Sequence, residues 1–227
     1  MSTPAALAGA RPVDAVFFDL DGTLIDSAPD LVVAMQRLRA ELGEAPIDVA
    51  RVGAVVSKGG RAMLREGFPG IDEARVDALL PRFLDLYAEA IAVHTRAFPG
   101  VAEMLIGLET RAIRWGIVTN KPGRLARVVV AQIGWETRSA ALVSGDCLPQ
   151  RKPDPTTLLH AAQLAGVSAA RSVYVGDDIR DIEAGRRAGM STVAVAWGYL
   201  DGEDPHDWGA DHVIAQPHEL FTALALD

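Results

Sequence analysis

Apolar residues recur along this chain with two different periods, and the change from one to the other divides it. Val16-Phe17-Phe18 is a short, unbroken apolar run of the kind found in strands buried on both faces, and it predicts a strand from about Ala15 to Asp19. From Leu31 the spacing lengthens to four, three and four through Met35, Leu38 and Leu42. That predicts an amphipathic helix with Ser27 as N-cap, Pro29 in the first turn and Gly43 as its stop. Helical character continues over Asp48 to Val56, over Arg61 to Glu66 after Gly59-Gly60, and over Asp72 to about His94. In the last of these Leu79, Leu80, Phe83, Leu84, Tyr87 and Ile91 share one face, with a kink expected at Pro81. Residues 1–12 show no periodicity and are expected to form a loose terminus.

Phe98-Pro99-Gly100 ends the helical stretch, and strands and helices alternate from there. Strands are predicted at Ile113 to Thr119, Ala140 to Val143, Val173 to Val175, Thr192 to Ala196 and near His212 to Ile214. Helices are predicted at Val101 to Thr110, Leu125 to Ile133, Thr156 to Ala165, Ile182 to Ala188 and from Pro217. The expected fold is α/β, a mostly parallel sheet flanked by helices, with an all-helical unit inserted after the first strand. Such sheets bind ligands at the carboxyl ends of their strands.

The polar residues that stand out fall at those ends. Asp19 and Asp21 follow the first strand, Thr119, Asn120 and Lys121 the second, and Asp177, Asp178 and Asp181 the strand at Val173, while Lys152 precedes a helix. Two carboxylates about 4 Å apart repel by roughly 4 kcal/mol at an effective dielectric of 20, so Asp19, Asp21 and Asp177 together call for a cation. Oxygen ligands without histidine or cysteine favour Mg²⁺. Lys121 and Lys152 suit either the anionic end of a substrate or the orientation of a carboxylate nucleophile. Carboxylates, magnesium and lysine make a phosphoryl-transfer site.

Composition narrows the partners. The 227 residues carry 22 basic and 30 acidic side chains, a net charge of -8, which argues against nucleic acid and anionic membranes as ligands. Cys147 is the single cysteine, which excludes an internal disulfide and a thiolate zinc site and fits a reducing compartment. Met1 to Ala10 lack a basic start and a sustained apolar core, so a cytoplasmic location is expected.

The Asp19-Leu20-Asp21-Gly22-Thr23 stretch, Thr119 after a strand, Lys152 in Lys-Pro-Asp-Pro, and Gly176-Asp177-Asp178 with Asp181 together resemble the four motifs of the haloacid dehalogenase superfamily. The resemblance implies a Rossmann-like core formed by residues 1–26 and 97–227, with residues 27–96 as a helical cap for substrate recognition. It implies Asp19 as nucleophile, Asp21 as general acid and base, and Lys152 as the group steadying Asp19 and the phosphate. Thr119 and Asn120 are implied as phosphate ligands. Mg²⁺ is implied on Asp19, the Asp21 backbone carbonyl and Asp177, with Asp178 or Asp181 in support. An acid at position 21 argues against the superfamily's dehalogenases and phosphonate hydrolases, and hence against Lys58 as a Schiff base. The loop Ser57-Lys58-Gly59-Gly60-Arg61 is expected to recognise substrate, with Lys58 or Arg61 meeting a carboxylate.

Within the superfamily the chain resembles the phosphoglycolate phosphatase group. Val55-Val56-Ser57, Arg61-Ala62-Met63, Trp115 to Pro122, Arg180 to Gly185 and Trp208 to Asp211 resemble most the bacterial N-acetylmuramic acid 6-phosphate phosphatases, which act in recycling of cell-wall sugar. The expected partner is a small phosphate ester, and the expected state a monomer or weak homodimer. A sugar-phosphate mutase would keep the same motifs but shield its phospho-aspartate from water. A non-catalytic binding protein would be expected to have lost Asp19 or Asp21.

Overall fold

The computed structural model describes residues 13–226, so the terminus expected to be loose lies outside the described residues. β1 (Ala15–Phe18) is buried along its whole length. Its side chains alternate between two cores: Val16 and Phe18 pack on one face of the sheet, Ala15 and Phe17 on the other. This two-faced burial is what an unbroken apolar run specifies.

β2 (Ile25–Asp26) follows at once, and the chain then leaves the sheet for four helices. These are α1 (Ala28–Glu41), α2 (Val49–Ala54), α3 (Gly60–Gly67) and α4 (Glu73–Glu89), with a single 3₁₀ turn at Val56–Lys58 between α2 and α3. β3 (Arg96–Ala97) pairs antiparallel with β2, so both crossings between the helical unit and the sheet run side by side. Two-residue strands carry no readable period, and the sequence gives no sign of this pair.

Two expectations about these helices are corrected. Ser27 makes no capping bond to α1; its hydroxyl donates instead to Asp21 Oδ1 at 2.5 Å, because a side-chain carboxyl oxygen lies within its reach and engages it before the helix amides can. α4 stops at Glu89 and not near His94. Buried Asp30 of α1 accepts from the backbone N–H groups of His94 and Thr95 and from the Thr95 hydroxyl, at 2.7–3.1 Å, and so draws the chain out of the helix. Pro81 lies within α4.

Beyond β3 the order is α5 (Val101–Thr110), β4 (Arg114–Val118), α6 (Gly123–Gln132), β5 (Leu142–Val143), α7 (Thr156–Ala165), β6 (Ser172–Gly176), α8 (Ile179–Ala188), β7 (Ser191–Val195), β8 (His212–Ile214) and α9 (Glu219–Ala223). The six strands of the main sheet run parallel in the order β5-β4-β1-β6-β7-β8. β1 is therefore central, and Phe18 is in register with Ile117 of β4 and Val175 of β6. One or two residues further on, the three neighbouring chains reach Asp19, Thr119 and Asp177 together. α8 begins three residues earlier than its apolar pattern suggests, because Asp178 and Asp181 form a reciprocal capping box. Among the described residues no helix is long and apolar enough to cross a membrane.

Candidate active site

The carboxyl ends of β1 and β4, the segment at Arg151 and Lys152 and the helical unit above them line a cavity of about 340 Å³. Asp19, Asp21, Thr119, Asn120, Lys121 and Lys152 line its floor, and Ser57, Lys58 and Arg61 line its roof. A larger, more open cleft of about 620 Å³, between α1 and the loop at Gly198–Gly202, contains none of the floor residues.

Lys152 is buried among opposite charges. Its Nζ lies 2.9 Å from Asp19 Oδ1 and 2.8 Å from Asp181 Oδ1, and it donates to the Tyr174 hydroxyl at 2.8 Å. Burial alone would lower its pKa, but the charges of Asp181 and Asp19 raise it well above the usual lysine value, so it stays an ammonium. The contact with Asp19 lacks hydrogen-bond alignment, which leaves Asp19 Oδ1 buried without a hydrogen-bond donor. Asn120 is the clasp beneath Lys152. Its side-chain amide donates to the Lys152 carbonyl and its side-chain oxygen accepts from the Lys152 N–H, both at 3.1 Å.

Asp21 faces a second buried ammonium. Lys121 Nζ contacts its two oxygens at 2.9 and 3.1 Å and sits 4.6 Å from the centre of the Tyr87 ring. Burial would lower the pKa of Lys121; Asp21 and the Tyr87 side chain more than reverse that. The Thr119 hydroxyl accepts from the Lys121 N–H at 3.1 Å, which sets the tight turn after β4.

Asp19, Asp177 and Asp181 bring carboxylate oxygens within 4.8 Å of one another, all buried. Asp177 accepts from the Thr23 hydroxyl at 2.9 Å, the Ser57 hydroxyl at 2.6 Å and the Tyr199 N–H at 2.9 Å. Despite these donors, burial and the charges of Asp19 and Asp181 push its pKa up to about 8. Gly22 and Gly198 press against it: a Cβ on either would come within 2.5 Å of its Oδ2. Lys152 contacts Asp19 and Asp181, while Asp177 has no ion pair among the described residues, so the cluster is short of positive charge. Its all-oxygen donor set and the orphaned Asp19 oxygen fit a hard divalent cation.

The remaining expected site residues are occupied differently. Asp178 stands outside the cluster, paired with Arg180 at 2.7 Å, and Arg180 in turn donates to the Ser57 carbonyl at 2.7 Å. Lys58 is ion-paired with Asp201 at 2.5 Å and Glu203 at 3.0 Å, which raises its pKa. Arg61 forms ion pairs with Glu73 and Asp77. Both basic side chains of the Ser57–Arg61 loop are thus met by acids of the protein itself. Tyr87, Tyr174, Arg180 and Tyr199 are not among the site residues expected from the sequence, where Tyr87 stands only on an apolar helix face and Arg180 only in a stretch of resemblance. For Tyr174 a signal exists: a phenol in the middle of a buried strand must find a partner, and this one bonds Lys152 and the Val118 carbonyl.

A phosphoryl-transfer floor at the switch point of a parallel α/β sheet, under an inserted helical unit, defines a class of hydrolase, and the chain belongs to it: residues 13–189 match the haloacid dehalogenase-like hydrolases. A phosphoglycolate phosphatase of Xanthomonas campestris pv. campestris is 48% identical over 212 residues, 93% of this chain and 96% of the relative. An N-acetylmuramic acid 6-phosphate phosphatase of Pseudomonas aeruginosa is 44% identical over 212 residues, covering 92% and 94%. The crystal structure of a predicted phosphoglycolate phosphatase from Haemophilus somnus superposes with a TM-score of 0.84 over 94% of this chain and 99% of that one, at 22% identity, and shows the same fold. The protein is a phosphatase of this family.

Proposed function

We propose that the protein hydrolyses a small carboxylate-bearing phosphate monoester through a phospho-aspartate at Asp19, with N-acetylmuramic acid 6-phosphate as the favoured substrate. The observation that carries the reaction is the meeting of Asp19, Asp21, Thr119, Lys121 and Lys152 in one cavity. An Asp19 oxygen attacks phosphorus as the bond to the leaving oxygen breaks, and Asp21 supplies that oxygen with a proton. Water then attacks the phospho-aspartate, giving its proton to Asp21 and releasing phosphate and free Asp19. Lys152 fixes the nucleophile, Lys121 and Ser27 fix Asp21, and the hydroxyl of Thr119 borders the phosphoryl position. Asn120, besides any phosphate contact, holds Lys152 in place. Mg²⁺, held by Asp19, Asp177 and the Asp21 carbonyl with Asp181 in support, would neutralise charge on the transferring group. Residues 27–96 serve as the cap, and the cytoplasm is the proposed location.

The leaving group is argued from the cavity. Leu80, Phe83, Leu84 and Tyr87 present a helical stripe of α4 along one wall. An acetylated sugar has apolar surface to set against that wall; a two-carbon glycolate has almost none. The name of the Xanthomonas relative favours phosphoglycolate as the alternative. Phosphate release from the two esters decides between them, with a higher kcat/KM expected for the muramic acid ester. A hundredfold preference for phosphoglycolate would reverse the assignment.

Metal occupancy is readable without turnover. Folded Asp177 holds its proton up to about pH 8, against an ordinary carboxyl near 3.8, so between these values the folded chain binds more protons than the unfolded one. Stability from this group is therefore lost as pH rises through that window. A divalent cation binds the ionised form, so the Tm difference between Mg²⁺ and EDTA is expected to widen from pH 6 to pH 8.5, and to collapse in Asp177→Asn. A gap independent of pH would contradict this reading of the cluster.

A further inference from the structure

Six basic side chains line the cavity: Lys58, Arg61, Lys121, Arg151, Lys152 and Arg180. Five are already neutralised within the protein: Lys58 by Asp201 and Glu203, Arg61 by Glu73 and Asp77, Lys121 by Asp21, Lys152 by Asp19 and Asp181, and Arg180 by Asp178. Of these six, Arg151 alone has no ion pair or side-chain hydrogen bond among the described residues, and it is exposed at the cavity's edge. We propose that Arg151 is the residue that receives the substrate's carboxylate and so sets the preference for acidic phosphate esters.

Availability is the first argument. An anion arriving at Lys58 or Arg61 must displace carboxylates already in place, whereas at Arg151 it meets an unshared guanidinium able to form two parallel hydrogen bonds. Placement is the second. Arg151 directly precedes Lys152, whose ammonium touches Asp19, and the Asn120 amide grips the Lys152 backbone from both sides. The root of the Arg151 side chain is thereby fixed relative to the nucleophile, and its flexible stem reaches around the rim. Leu80, Phe83 and Arg151 line the same cavity as Asp19, so one ligand can meet all of them.

This assignment rests on the phosphatase reading, and two probe pairs separate the failure of one from the failure of the other. The first is N-acetylmuramic acid 6-phosphate against N-acetylglucosamine 6-phosphate, which lacks the lactyl carboxylate; the second is phosphoglycolate against ethyl phosphate. With Mg²⁺ present, the wild-type kcat/KM is expected to favour the acidic member of the pair it turns over. Arg151→Ala should reduce that preference by about tenfold or more, mainly through KM, as expected for a lost charged hydrogen bond, and Arg151→Lys should recover part of it. A preference unchanged in Arg151→Ala, or one abolished in Arg61→Ala but kept in Arg151→Ala, would overturn the proposal. Loss of Asp19-dependent turnover on all four esters would instead refute the phosphatase reading.

Discussion

Asp19→Asn is expected to lower kcat on every phosphomonoester by about 10⁴-fold or more, with the fold retained. The amide matches the carboxylate in shape but is not a nucleophile, and nothing near Asp19 can replace it: Asp21 is held by Lys121 and Ser27, and Asp181 by Lys152. Stability should move the other way. Asp19, Asp177 and Asp181 crowd their oxygens within 4.8 Å, so removing one negative charge relieves repulsion. In EDTA the variant should melt no lower than the wild type. Turnover within tenfold of wild type would exclude Asp19 as nucleophile.

Lys152→Met is expected to damage both activity and stability. The methionine stem fills most of the space of the lysine stem but leaves Asp19 and Asp181 buried with no counter-charge. Breaking a buried pair from one side costs about 3–5 kcal/mol, on the order of 10 °C in Tm for a chain of this size. The Tyr174 hydroxyl, which accepts from Lys152 at 2.8 Å, loses that donor as well. Saturating Mg²⁺ should restore part of the Tm, since it supplies charge to the same cluster, and should leave kcat low because the nucleophile is no longer oriented. A variant as stable as wild type in EDTA would show that the carboxylates do not depend on this ammonium.

Most of the floor was legible in the sequence because each part carries a dense local signal. Val16-Phe17-Phe18 has no polar position, so the strand and its end at Asp19 are unambiguous. Thr119, Lys152 and Asp177 each lie at a strand end or helix start that the apolar pattern marks, and the parallel sheet then brings them to β1. The roof was legible only as a break in the helices at Ser57 to Arg61. The sequence shows two basic side chains there and nothing of their partners. Asp201 and Glu203 lie more than 140 residues from Lys58, so their neutralising contact is set by tertiary folding alone. The same holds for Ser57, whose hydroxyl reaches down to Asp177, and for Ser27, which serves Asp21 where a helix cap was expected. The end of α4 was misplaced because the group that ends it, Asp30, sits in another helix. A short polar side chain reads locally as a cap or a turn, and only the fold reveals which distant group it serves.

The central claim, a covalent phospho-aspartate at Asp19, is tested most directly in Asp21→Asn. That variant lacks the group proposed to activate water, so the intermediate should outlast an acid quench. After brief incubation with substrate and Mg²⁺, peptide mass spectrometry should find one added phosphoryl group on the peptide containing Asp19, labile to hydroxylamine and absent from Asp19→Asn/Asp21→Asn. Slow phosphate release by Asp21→Asn with no such adduct, or an adduct on any other residue, would contradict the account.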